Sequence, residues 1–269
     1  MSRQYLMCRP TYFAVDYAIN PWMDPSAPVD ADLAIAQWTT LVDTYRSLGH
    51  TVEFIDPVPG LPDMVFAANG ATVVDGTVLG VSFTHAERAA EGPAYLDWFA
   101  RAGFRTQEPK ATNEGEGDML LTAGHLLAGT GFRTDIAAHL EAQELFGVPV
   151  ITLQLVDPRF YHLDTALTVL HRDPADPRPA VAYLPEAFSE GSRKVLERLF
   201  PNAIHADIAD ATVLGLNAAS DGRHVVMPVQ AAGLAEKLAS NGYQPVPVDM
   251  SELLKAGGGP KCCTLEVRR

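Results

Sequence analysis

Short strand-like runs alternate with helical patterns along the whole chain, and the alternation recurs about every 50 residues. Residues 5–8 read as a first strand. Over residues 30–48, Leu33, Ile35, Trp38, Leu41, Val42, Tyr45 and Leu48 fall at helical spacing, with Gly49 where a C-terminal glycine belongs and a strand over 50–55. Asp75-Gly76 between apolar runs at 69–74 and 77–81 is a strong hairpin signal. The pattern continues with a helix near 93–102 stopped by Gly103, a second hairpin from 119–121 and 125–128, a helix over 133–146 closed by Gly147, and a strand over 150–155. Strands at 167–171 and 180–183, a helix over 189–199, strands near 212–215 and 224–227, a helix over 231–240 and a strand over 244–248 complete it. Units of two or three strands and one helix predict a cyclic α/β arrangement, not two unlike domains. With no linker or low-complexity tract, 1–269 reads as a single domain.

Composition narrows the function. Apolar residues make up 47% and charged residues 20% of the 269, enough for a sizeable core. A net charge of −13 argues against nucleic acid, whose phosphates need a basic face, and favours a small cationic ligand. The opening MSRQYLMCRPTYF has no apolar run of signal-peptide length, and no stretch reaches the ~18 apolar residues of a membrane span. Cys8, Cys262 and Cys263 make an odd count with two neighbours in sequence, which predicts free thiols in a reducing compartment and hence a cytoplasmic protein.

Chemistry concentrates in INPWM (19–23), LPDMVFAANG (61–70), NEGEGDML (113–120), FYHLDTAL (160–167) and GGGPKCCTLEV (257–267). In the last, a glycine-rich lead-in permits close approach of a ligand, and Lys261 beside Cys262 would favour a thiolate; both cysteines also suit a strand-start core position. His162 and Asp164 share a face if their segment is extended, so the carboxylate would orient the imidazole for acid–base work; a buried, hydrogen-bonded histidine is the alternative. Glu114, Glu116 and Asp118 alternate along one segment, and converging carboxylates call for a cation unless they form a solvated turn. Zinc is disfavoured because adjacent cysteines do not chelate one ion readily and no C-x-x-C occurs. No phosphate-binding glycine motif occurs either. Covalent cysteine catalysis with His162 as acid–base partner is the remaining reading, without metal or cofactor.

Together, His-Leu-Asp-Thr at 162–165, Gly-Asp at 117–118 and Gly-Gly-Gly-x-x-Cys at 257–262 resemble the guanidino-modifying enzymes of the pentein superfamily. That resemblance implies a five-bladed, pseudo-symmetric α/β propeller with the site at its centre, and relatives that are usually homodimers. It assigns Cys262 as nucleophile and His162 as acid–base group, with Asp164 beside it. Arg133 in Phe-Arg-Thr would hold the substrate α-carboxylate, and Arg88 would be a second anchor. Asp118 and Glu116 would hold the cation, with Glu116 close to the reaction.

Two departures bear on the reaction. Asn69 stands where deiminases and dimethylarginine hydrolases carry an aspartate, and Glu116 where they usually have glycine. Asn20 with Asn69 resembles the arginine dihydrolases, and a neutral amide tolerates an uncharged ureido intermediate. The resemblance therefore implies a guanidino hydrolase acting through a thiouronium intermediate on arginine, giving ornithine, ammonia and carbon dioxide. The alternatives are a dimethylarginine hydrolase or deiminase that stops at citrulline, and a non-catalytic arginine-binding protein. A small molecule is the expected partner, with neither nucleic acid nor membrane.

Overall fold

The computed structural model describes residues Ser2–Arg269. Among the described residues, fifteen short strands form five three-stranded sheets. Strands β1 (Gln4–Cys8), β2 (Thr51–Ile55), β3 (Thr72–Val74), β4 (Thr77–Leu79) and β5 (Arg105–Gln107) come first. They are followed by β6 (Met119–Leu121), β7 (Leu126–Thr130), β8 (Val150–Gln154), β9 (Leu167–Val169) and β10 (Val181–Tyr183). The last five are β11 (Ile204–His205), β12 (Ala219–Ser220), β13 (His224–Pro228), β14 (Gln244–Val248) and β15 (Leu265–Glu266).

Every sheet obeys one rule. An inner strand pairs antiparallel with a middle strand, which pairs parallel with an outer strand reached through a helix. In the first sheet β15 is the inner strand, against β1, so the two ends of the chain close the ring. The expected five-bladed α/β propeller is thus the fold.

Local chemistry explains the repeated unit. The Ala31–Ser47 helix starts at Asp30, whose carboxylate accepts the Leu33 N–H at 2.9 Å, and it buries Ala34, Trp38, Leu41, Val42 and Tyr45 along one stripe. Each such large side chain contributes roughly 1.5–3 kcal/mol by leaving water. The hairpin between β3 and β4 turns at Asp75 and Gly76, with φ of 45° and 72°, the left-handed pair that a two-residue turn matched to strand twist needs.

Three expectations are corrected. Residues 212–215 are not a strand: a helical turn, Ile208–Ala211, runs into further turns with Leu214 at φ 55°, and the inner strand is β12. A short apolar run fits a buried turn as well as a strand. Asn69 lies in the 3-10 turn Ala67–Gly70, before β3 begins. Arg133 precedes its helix, which spans Ile136–Phe146, and this leaves the side chain free to reach inward. No helix among the described residues is long and apolar enough to cross a membrane.

Candidate active site

The loops at one end of the ring enclose a tight cavity of about 10 Å³, bounded in part by Asn20, Asp63, Asn69, Arg88, Arg133 and Cys262. Cys262 reaches it from the turn after the glycine run. There Gly258 presses so closely on the Phe66 ring that a Cβ would sit 2.2 Å from a ring carbon. Asn217 locks this turn: its Oδ1 accepts the N–H groups of Gly259 and Cys262, both at 3.0 Å. Its Nδ2 donates to the Cys262 Sγ at 3.0 Å and to the Asp164 carbonyl at 3.2 Å. Cys263 is buried in the adjacent apolar core.

His162 sits at the start of a single helical turn, Leu163–Ala166. Because the backbone coils here, the alternation of an extended segment does not apply, and His162 and Asp164 part company. The His162 Nε2 lies 2.7 Å from Glu114 Oε2, while Asp164 Oδ2 lies 3.4 Å from the Cys262 Sγ. The buried His162 Nδ1 and Asp164 Oδ1 have no hydrogen-bond partner among the described residues. The expectation that Asp164 orients His162 is corrected: Glu114 holds the imidazole and Asp164 adjoins the thiol.

Glu114 also receives Arg133 Nη1 at 3.0 Å and the Thr84 N–H at 3.2 Å. Burial opposes its ionisation, yet the bond to His162 and the Arg133 and Arg88 guanidiniums hold it well below the ordinary carboxylate range. Glu116, two residues on, points elsewhere. It pairs with Lys261 Nζ at 2.9 Å and with Arg268, and accepts the Glu266 N–H at 3.2 Å. The expected place of Glu116 near the reacting atoms is corrected, because the 3-10 turn Gly115–Gly117 rotates it away from Glu114. Lys261 is likewise committed to Glu116, away from the thiol.

Asp118 lies behind the cavity wall. It accepts Thr134 Oγ1 at 2.7 Å and the Leu163 N–H at 3.0 Å, so it secures the turn that carries His162 and does not face a cation. Burial raises it to about 6 against the pull of His162.

The other expected residues meet at the cavity. Arg88 donates from Nε and Nη2 to Glu91 at 2.9 and 2.8 Å, and from Nη1 to Asn69 Oδ1 at 3.0 Å. Arg133 donates to the Ile19 carbonyl at 2.7 Å and stacks its guanidinium over Tyr161. Asn20 donates to Tyr161 Oη at 3.3 Å and the Ala256 carbonyl at 3.0 Å.

Asp63, Tyr161 and Asn217 escaped sequence reasoning. Asp63 is buried, bonded by Tyr17 Oη at 2.8 Å, and raised by burial against the pull of Arg88. Its only signal was its place in LPDMVF beside the asparagine already noted. Asn217 had none, since the stretch before it reads as a strand.

Burial and the Asp164 charge push the Cys262 thiol well above its ordinary value, and burial takes Asp164 up to about 7. A buried thiol between a carboxylate and an amide, near an imidazole fixed by a second carboxylate, can attack an electrophilic carbon once a cation enters and favours the thiolate. No cluster of three His, Cys, Asp or Glu side chains able to hold a metal occurs among the described residues.

Over 266 residues the chain is 51% identical to an N(G),N(G)-dimethylarginine dimethylaminohydrolase of Mycobacterium tuberculosis, covering 99% of this chain and 86% of that one. The chain belongs to this family of guanidino-group hydrolases. A bifunctional arginine dihydrolase/ornithine cyclodeaminase, ArgZ of Synechocystis, is 35% identical over 97% of the chain, which spans 37% of that longer enzyme. The N-terminal domain of ArgZ, solved as an asparagine-to-serine variant covalently bound to a reaction intermediate, superposes with a TM-score of 0.93 at 34% identity. That match covers 99% of this chain and 98% of the solved one. No family model matches the chain.

Proposed function

We propose that the chain acts as one catalytic domain that hydrolyses the guanidino group of an ω-N-methylated arginine to citrulline and the methylamine. The observation that carries this is the Cys262 Sγ on the wall of a cavity shared with Arg88, Arg133 and Asp63. Two guanidiniums and a buried carboxylate suit an amino acid that carries one carboxylate together with cationic ammonium and guanidinium groups. Arg133 and Arg88 take the α-carboxylate, and Asp63 with Asp164 faces the cationic groups. The identity to the mycobacterial enzyme supports the methylated substrate ahead of plain arginine.

The reaction runs in two displacements. The bound guanidinium stabilises the Cys262 thiolate, whose proton leaves to the surroundings. The thiolate attacks the guanidinium carbon, His162 protonates the departing amine, and the C–N bond breaks to leave a thiouronium. His162 then takes a proton from water, which attacks the same carbon and expels the thiolate, giving the ureido product. Glu114 fixes the imidazole for both steps. Since the cavity has about 10 Å³ free, room for barely one water, its wall opens to admit substrate.

One observation favours a second reading, dihydrolysis of arginine to ornithine. Asn69 places an amide, not a carboxylate, on the cavity wall, and the variant of the superposing ArgZ domain that retains an intermediate replaces an asparagine. In either reading the enzyme works in a reducing cytoplasm, where its three thiols stay free, and as a homodimer.

Incubation with asymmetric dimethylarginine and with arginine, followed by amino-acid analysis, separates the readings. Citrulline with dimethylamine supports the first, and ornithine with two equivalents of ammonia supports the second. Cys262→Ser is expected to lose at least about a thousandfold in turnover, with Cys263→Ser near wild type. Full turnover in Cys262→Ser would sink both.

A further inference from the structure

Back to back with the candidate site lies a second cavity, of about 50 Å³, with Lys261 on its wall where Cys262 lines the first. It is lined by Tyr5 on β1, Leu120 on β6, Thr168 on β9, Ser220 on β12 and Glu266 on β15, strands from four of the five sheets, and so it occupies the ring's axis. The space holds about three or four water-sized groups, the bulk of one small oxyanion. An outer hollow of about 430 Å³ shares Arg3, Arg172, Glu266 and Arg268 with it and connects it to solvent.

The charge here runs against that of the whole molecule. Arg3, Arg172 and Arg268 all reach one carboxylate, Glu266, at 2.8, 2.6 and 2.8 Å. Lys261 and Arg268 share Glu116. Four cations thus face two carboxylates, an excess of two positive charges in a chain whose net charge is −13. The neighbouring His171 adds no free donor: its Nε2 meets the Arg178 carbonyl at 3.0 Å, and its Nδ1 accepts the Asp173 N–H at 3.3 Å.

A staple between the chain's two ends would need only matched pairs. Arg172 is surplus to that, since it approaches from the connection after β9, spends one nitrogen on Glu266, and bonds no other described residue. Confined like charges repel strongly where water is scarce, and a bound dianion offsets that cost while matching the guanidinium forks in geometry.

We propose that this axial cavity is an anion site, separate from the guanidino chemistry, that takes a compact doubly charged oxyanion of the phosphate or sulfate class. Arg172 and Arg3 supply the entry side and Lys261 the floor.

Isothermal titration with inorganic phosphate, at ionic strength held constant by sodium chloride, is expected to give one saturable site per chain. Arg172→Gln, whose side chain is at the solvent edge, should weaken it at least about tenfold with an unchanged circular dichroism spectrum. Broadening of the phosphate ³¹P resonance by the wild-type protein, reversed by excess sulfate, is an arm that needs no variant. Absence of saturable heat, equal affinity in the Arg172→Gln protein, or a phosphate linewidth that the protein does not change would overturn the proposal.

Discussion

At the scale of single residues, the two glutamates of Asn113-Glu114-Gly115-Glu116 separate by function although only one glycine divides them. Glu114 is fully buried against His162 and Arg133, whereas Glu116 is fully buried against Lys261 and Arg268. Glu114→Gln is expected to cut turnover by about 10²–10⁴-fold, the usual span for disabling an acid–base group. Glu116→Gln should keep turnover within a few-fold but lower stability by about 1–3 kcal/mol, since it leaves the half-buried Lys261 without a carboxylate and Arg268 with Glu266 alone. Steady-state rates and urea melts on both proteins check this, and equal loss of turnover in the two would contradict it.

Asp164 makes a pH-dependent prediction. Its carboxyl is raised to about 7, so the folded state binds more protons than the unfolded state from about pH 4 upward. The stability it contributes is therefore complete below about pH 4 and disappears as pH rises through 7. Asp164→Asn removes the buried charge and should raise Tm at pH 8 while leaving pH 4 nearly unchanged, even as activity falls. Thermal melts at the two pH values would reveal the difference; a uniform shift at both would count against it.

At the scale of elements, the sequence was legible where side-chain periodicity and turn chemistry agree. The Ala31–Ser47 helix carries its own cap and stripe, and Asp75-Gly76 admits little but a hairpin. Gly76→Ala meets no neighbouring atom, so its cost is confined to the left-handed backbone, about 1–2 kcal/mol. Denaturant melts should show that loss with unaltered kinetics for the substrate. The site was legible as a set of segments: Cys262, His162, Asn20, Asn69, Arg88 and Arg133 converge as their clusters suggested. Pairings within the set were not. Whether Asp164 faces His162 or Cys262 depends on one turn of helix at 163–166, and four residues carry too little periodicity to declare it. Asn217 and Asp63 owe their positions to contacts 45 and 46 residues distant in sequence, which no local pattern encodes.

At the scale of the whole molecule, repetition of one sheet rule five times creates an axis with two faces, and the turn at Lys261-Cys262 divides them. One face gathers the thiol, imidazole and carboxylates with Arg88 and Arg133, and the other gathers Arg3, Arg172, Arg268 and Lys261. The five middle strands, β1, β4, β7, β10 and β13, are hydrogen-bonded on both sides, while outer strands such as β2, β5, β8 and β14 leave several residues exposed. Amide protection follows the number of partners that must separate before solvent reaches the bond. Deuterium should therefore enter this protein from its circumference inward, marking each middle strand last. A mass-spectrometric uptake map would then show five slow spokes, with the peptide carrying β1 among the slowest even though it lies near the start of the chain.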